Sequence, residues 1–244
     1  MTHTPSAPRI SVVVPVKNEA LNILPLVGEI EQACAPLGTF EVIYVDDGST
    51  DATVEQVLGA RATRPWLRLV RHEASCGQSA AVRTGVYAAH APIVVTLDGD
   101  GQNDPAFIPK LVAALDDPAT GLAAGQRVGR KDGPYKKWQS RIANGVRGRI
   151  LKDGTRDTGC GLKAFRRDVY LRLPYFDALH RFMPALIKRE GYGIAHVDVV
   201  DRPRHAGQSN YGLFDRLWVG ILDLAGVWWL IRRRRRVPVA QEIN

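Results

Sequence analysis

Residues 93–104 read IVVTLDGDGQND. Five apolar or β-branched residues, Ile93 to Leu97, run without a charge and then break into Asp98, Gly99, Asp100, Gly101, Gln102, Asn103 and Asp104. A short apolar run of this kind suits a strand buried on both faces. The polar break marks its carboxyl end. The same grammar appears twice upstream. Ile10 to Val16 leads into the polar end of PVKNE, and Phe40 to Val45 leads into DDGSTD. Helical spacing fills the gaps, at Leu21 to Leu37, Asp51 to Arg64 and Gly77 to His90. Leu67 to Val70 is a further short strand, Phe107 to Leu115 a helix and Leu122 to Gly125 a strand. Repeated β-α-β units predict an α/β fold with a mostly parallel central sheet and helices on both faces. Ligands of such sheets bind beyond the carboxyl ends of the strands, which is where the three polar tips fall.

The second half is less regular. Asp132 to Lys137 reads as a polar loop, Trp138 to Leu151 as a helix, and Asp157 to Arg166 as a turn with a short strand. A helix over Phe182 to Glu190 and a strand over Ile194 to Val200 follow. Arg202 to Tyr211 is a basic loop, and Leu213 to Ile231 is a strongly apolar helix.

Bulk composition bounds the function. The 244 residues, 45% hydrophobic and 24% charged, suffice for one substantial core with a C-terminal appendage. The net charge of +8, with Arg232 to Arg236 in one run, points to anions: nucleic acid, anionic lipid or phosphorylated substrates. Three scattered cysteines, Cys34, Cys76 and Cys160, argue against a disulfide framework or structural zinc and fit a reducing compartment. MTHTPSAPRI has no basic region followed by an apolar stretch, so a cytoplasmic location is expected.

The chemical signal is Asp98-Gly99-Asp100. Two carboxylates flanking a glycine after a buried strand can converge on one hard cation, Mg²⁺ or Mn²⁺, with open positions completed by substrate phosphates. The competing reading is a plain surface turn. The second acidic turn, Asp46 to Asp51, offers carboxylates to a base or ribose. Its Ser49 or Thr50 is also placed to cap the helix that follows.

VVVPVKNE, VDDGSTD, LDGDGQNDP, GQR, DTGCGLKAFRR and RHAGQSNYG, in this order, resemble family 2 glycosyltransferases of GT-A fold. Within them the chain is similar to the dolichol-phosphate mannosyltransferase and polyprenyl-phosphate glycosyltransferase group. The resemblance covers Ile10 to Tyr211 and implies a metal-dependent, inverting transfer from a GDP- or UDP-linked sugar to a dolichyl or undecaprenyl phosphate. It implies a nucleotide pocket of Pro15, Lys17, Glu19, Val45 and Asp47. Asp98, Asp100 and Gln102 fall at the metal and donor-phosphate positions, and Arg127 at a phosphate-binding arginine. Arg204, Ser209 and Asn210 fall in a C-terminal phosphate loop. Lys17 stands where relatives often carry an aromatic residue, and Asn210 where they often carry lysine. Asp157 is a third catalytic candidate, near the acceptor or sugar, with a turn residue as its alternative.

A lipid phosphate is already ionised near neutral pH, so positioning and charge stabilisation matter more than a general base. Arg127, Arg130, Lys131, Arg202 and Arg204 suit that demand. Neither an ED pair nor QxxRW is present. Residues 1–211 are expected to form the transferase domain. Residues 212–244 are expected to form an amphipathic helix and polybasic tail, lying on the inner face of an anionic membrane. Its alternative is a helix packed on the core or on a second copy, so homo-oligomerisation stays open. No nucleic-acid partner is expected. Transfer to a saccharide hydroxyl and a non-catalytic basic membrane-binding module are the competing functions.

Overall fold

The structure is a computed structural model and describes residues 7–128, 145–202 and 213–233. Seven strands form one sheet in the order β3-β2-β1-β4-β6-β5-β7. They are β1 (Ile10–Val16), β2 (Phe40–Asp46), β3 (Leu67–Arg71), β4 (Ile93–Thr96), β5 (Thr120–Arg127), β6 (Lys163–Arg166) and β7 (Gly193–Val199). All pairings are parallel except those of β6, which runs against both β4 and β5. The expected mostly parallel sheet is present, with one reversed strand inserted in the middle.

Strand alternation sorts the apolar residues into two layers. Val12, Val14, Val42, Tyr44 and Val95 face one cluster, with residues of α1 (Ala20–Cys34), α2 (Thr53–Arg61) and α4 (Ile108–Ala113). Val13, Ile43, Val45 and Val94 face the other, with α3 (Gln78–Ala88), α6 (Arg167–Leu171) and α7 (Leu179–Arg189). A further helical stretch, α5 over 145–151, adds Leu151 to this second layer. The inner strands are thereby covered on both faces, which is why Ile10 to Val16 is apolar but for Ser11, whose hydroxyl bonds to Glu41.

The last helix, α8 (Leu213–Arg232), lies against α7. Val227 is buried in the second cluster, Leu224, Leu230 and Ile231 pack beside it, and Arg189 donates from Nε to the Leu230 carbonyl at 3.0 Å. Ile221, Leu222, Trp228 and Trp229 face outward. The helix therefore has an inner face docked on the domain and an outer apolar face. Among the described residues, no helix is long and apolar enough to cross a membrane.

Two local expectations change. The helix after the second acidic turn starts at Thr53, and neither Ser49 nor Thr50 caps it. The N-cap position is Ala52, and Asp51 just before it accepts from the Thr53 amide at 3.0 Å. The short helix α6 was not anticipated.

Candidate active site

The tips of β1, β2 and β4 meet at one edge of the sheet, and the loops after β1 and β2 are bonded to each other. Asn18, held at φ +57, accepts the Thr50 amide at 2.8 Å, and its own amide donates to Ser49 Oγ at 2.9 Å. The Glu19 amide donates to Thr53 Oγ1 at 2.9 Å, and Glu19 Oε2 accepts from Asn22 at 2.6 Å. The segment expected to cradle a nucleotide is thus a single knitted surface. Lys17 projects from it into solvent, whereas Val45 is buried in the core.

Asp47 is fully engaged. Its Oδ1 accepts the Cys76 amide at 2.8 Å and faces His72 Nδ1 at 2.8 Å; its Oδ2 accepts from Ser75 Oγ at 2.7 Å and the Gly77 amide at 2.9 Å. These donors overcome the cost of burial and bring its pKa down to about 2. The carboxylate pins the loop between β3 and α3. Asp47, His72 and Cys76 also place ligand-type atoms within 4.8 Å of one another. Their hydrogen bonding accounts for that cluster.

Asp98 and Asp100 sit differently. Burial, and next the charge of Asp100, push the Asp98 carboxyl up to about 6, against the pull of Lys163 and Arg127. Gln78, at the start of α3, donates to Asp98 Oδ1 at 2.6 Å. Asp100 Oδ1 accepts the Gln102 amide at 3.1 Å. Gly99 and Gly161 are required by crowding. A Cβ on Gly99 would meet Val16 Cγ1 at 2.4 Å, and one on Gly161 would meet Asp98 Oδ2 at 2.3 Å. Gly99 and Asp100 lie in a turn, and the left-handed conformation follows at Gly101, at φ +73. Two crowded, mutually repelling carboxylates are the donor set that a hard divalent cation relieves, so the residues fit such an ion.

Arg127 ends β5 and holds Asp157 in a fork, from Nε to Oδ2 at 2.6 Å and from Nη2 to Oδ1 at 2.9 Å. Nη1 reaches Asp201 Oδ2 at 3.4 Å. The expected phosphate-binding arginine and the expected acceptor-side aspartate therefore form one pair. Burial would lower the arginine pKa, but bonding to Asp157 outweighs it and the net shift is upward. Arg130, Lys131, Arg204, Ser209 and Asn210 lie outside the described residues.

A small pocket, partly open to solvent, lies beside Asp98 and is lined by Pro15, Gln78, Thr96, Lys163, His180 and Met183, among others. Lys163 and His180 had no assigned role in the sequence. Lys163 is 3% exposed, donates to the Cys160 carbonyl and has its pKa lowered by burial. His180 meets Ser79 Oγ at 2.7 Å, and burial with the nearby Lys163 lowers its pKa to about 3, keeping it neutral. A lysine at the head of the short strand KAFR was the available signal for a buried charge.

A family model for glycosyl transferase family 2 matches residues 11–173. The chain belongs to that family. It is 36% identical over 234 residues to a dodecaprenyl-phosphate galacturonate synthase of Rhizobium johnstonii, covering 93% of this chain and 68% of that protein. It is 33% identical over 207 residues to an undecaprenyl-phosphate 4-deoxy-4-formamido-L-arabinose transferase of Edwardsiella ictaluri, covering 84% and 63%. The chain thus spans about two thirds of the length of these two relatives. Among solved structures, the mannosyltransferase PcManGT of Pyrobaculum calidifontis, in complex with GDP-Man and Mn²⁺, superposes with a TM-score of 0.66 at 22% identity, covering 96% of this chain and 67% of that one. Glucosyl-3-phosphoglycerate synthase of Mycobacterium tuberculosis, with Mn²⁺ and UDP among its ligands, gives 0.66 at 20% identity, covering 93% and 80%. These likenesses place the glycosyltransferase in the GT-A class of fold.

Proposed function

We propose that this glycosyltransferase moves a sugar from a nucleotide-sugar donor to a polyprenyl phosphate, with inversion, at the cytoplasmic face of a membrane. The observation that carries the proposal is the crowded Asp98–Asp100 pair at the tip of β4, beside the knitted β1 and β2 tips. Asp98 and Asp100, with Gln102, would hold Mg²⁺ or Mn²⁺, which supplies charge neutralisation for a departing diphosphate. The surface around Pro15, Lys17 and Glu19 is the nucleotide side, and Asp47 fastens the loop between β3 and α3 next to it.

An ionised acceptor phosphate brings its own nucleophilic oxygen. That oxygen bonds to the anomeric carbon as the bond to the donor diphosphate breaks. No carboxylate then has to take a proton, which agrees with Asp157 being held by Arg127. Asp157 orients the guanidinium, and the guanidinium offers positive charge to a phosphate. Arg204, Ser209 and Asn210 are the further acceptor-phosphate candidates.

Polyprenyl-phosphate acceptors in the relatives' names support the lipid, and the outer face of α8 supports its location. Arg232 lies over the Trp228 ring at 4.0 Å and Arg233 over Trp229 at 5.8 Å, beside exposed Ile221 and Leu222. Tryptophan with arginine favours the headgroup level of an anionic leaflet. The relatives' sugars, galacturonate and a formamido-arabinose, stand beside a resemblance to mannosyltransferases, so the donor is to be read by a screen.

Labelled GDP- and UDP-sugars, incubated with undecaprenyl phosphate and Mn²⁺, test the proposal. Label is expected in the organic phase, lost when the metal is chelated. Label that stays aqueous on a saccharide acceptor would overturn it in favour of hydroxyl transfer.

A further inference from the structure

Three separate elements are joined across the site by side chains to which the proposed chemistry gives no task. The Asp98 amide donates to Asn103 Oδ1 at 3.0 Å. Asn103 Nδ2 reaches Asp201 Oδ1 at 3.4 Å. The other oxygen of Asp201 accepts Arg127 Nη1 at 3.4 Å, and Arg127 forks onto Asp157. Asn103 is only 3% exposed and also forms an antiparallel backbone bridge with Asp201. The next residue continues the seam. The Arg202 amide donates to the Gln102 carbonyl at 2.9 Å, and its guanidinium holds Asp104 at 2.5 Å and both oxygens of Glu29 at 2.8 Å.

We infer that Asn103 and Asp201 are positioning residues that link the metal-loop aspartate to the Arg127–Asp157 fork as one unit. The inference rests on the glycosyltransferase reading of Asp98. Topology explains why the link is needed. The metal loop follows β4, Arg127 ends β5 and Asp201 follows β7, with the reversed β6 separating β4 from β5. Arg127 pairs in register with Val199, so the chain just past β7 runs beside Arg127, and Asp201 bridges from there to Asn103 of the metal loop. Asn103 suits the junction because its amide accepts on one side and donates on the other. Asp201 suits it because its two oxygens serve two donors. The cation and the phosphate-facing arginine are thereby held at a set separation, which a diphosphate between them requires.

Calorimetry of Mn²⁺ binding to the full chain tests this without turnover. Asn103→Ala and Asp201→Ala are each expected to weaken Mn²⁺ binding by about tenfold, the lower end of losses seen when outer partners of metal ligands are removed. The double variant is expected to lose no more than the worse single one, because both act through one line of bonds. Asp201→Asn keeps the size and the backbone bridge and removes the charge facing Arg127. It is expected to raise KM for the nucleotide-sugar more than it lowers kcat, with thermal stability unchanged. Wild-type Mn²⁺ affinity in folded single variants, or additive losses in the double, would overturn the inference. Should the alanine variants not fold, a wild-type KM in Asp201→Asn overturns it alone. A wild-type chain that takes up no Mn²⁺ would defeat the functional proposal itself.

Discussion

Two aspartates occupy the same edge of the same sheet and live in opposite environments. Asp47, past β2, receives four donors and has its pKa held down near 2. Asp98, past β4, faces another carboxylate and has its pKa pushed up to about 6. The first carboxylate is part of the scaffold, and its charge is used to fasten a loop. The second is left under-compensated, which suits the cation proposed for it. Acidity at a strand tip does not mark a catalytic residue by itself. The supply of donors around it separates the two roles.

The sharpest way to break this comparison is to neutralise the poised pair. Asp98→Asn and Asp100→Asn are each expected to lower transfer at least ~100-fold, the scale of a lost transition-state charge stabiliser. Thermal stability should not fall in Asp98→Asn, because a buried, repelled charge is removed. A folded variant retaining more than a tenth of the activity would place the metal elsewhere. The opposite pattern is expected at Asp47. Asp47→Ala strands several donors and costs about 3 kcal/mol, at roughly 1 kcal/mol or more for each buried group left unpaired. For a chain of this size that is a melting drop of roughly 6 to 12 °C. Its contribution is complete above the unfolded pKa near 4 and is lost as pH falls toward 2, since the folded value is the lower one.

Much of this was legible in the sequence because it is local. A strand covered on both faces is mostly apolar, so Ile10–Val16 shows its bounds directly. The position of Asp98 and Asp100 follows from the strand before them. What stayed hidden is non-local. The 30-residue separation of Arg127 and Asp157 gives no sign that they pair, and that pair changes what each is free to do. Asp201 fell between the expected strand ending at Val200 and the basic loop starting at Arg202, with no role of its own. β6 was expected as a strand, but its reversal and the helix after it escaped. KAFRRDVYL has no Gly or Pro to mark the break, and its buried lysine breaks the apolar pattern of a central strand. Lys163 is tolerated there because a carbonyl and nearby carboxylates compensate its charge.

On the proposed function, a proton and a metal compete for Asp98. Its folded-state pKa lies above the usual carboxylate value, so the metal-free protein holds the proton between roughly pH 4 and 6. Mn²⁺ must displace that proton below about pH 6. Affinity measured by calorimetry should fall about tenfold from pH 7 to pH 5, the ratio of ionised fractions on either side of a pKa near 6. The Asp98→Asn variant should show neither that affinity nor its pH dependence. A flat profile in the wild type would mean that Asp100 alone carries the ion.

The smallest effects separate the two aspartates through their neighbours. Ser75 donates to Asp47 and Gln78 donates to Asp98, from either side of Gly77. Ser75→Ala removes one of several donors from the scaffold carboxylate, so about 1 kcal/mol of stability should go while Mn²⁺ affinity stays. Gln78→Ala removes an orienting bond from a solvent-facing side chain, so stability should hold while Mn²⁺ affinity falls by about threefold, the equivalent of one modest hydrogen bond. Thermal melts and calorimetry on the two variants give four numbers, of which two should move. If Ser75→Ala weakens the metal as much as Gln78→Ala does, the two aspartates are coupled through the turn at Gly77. The division between a fastening carboxylate and a cation-binding one would then fail.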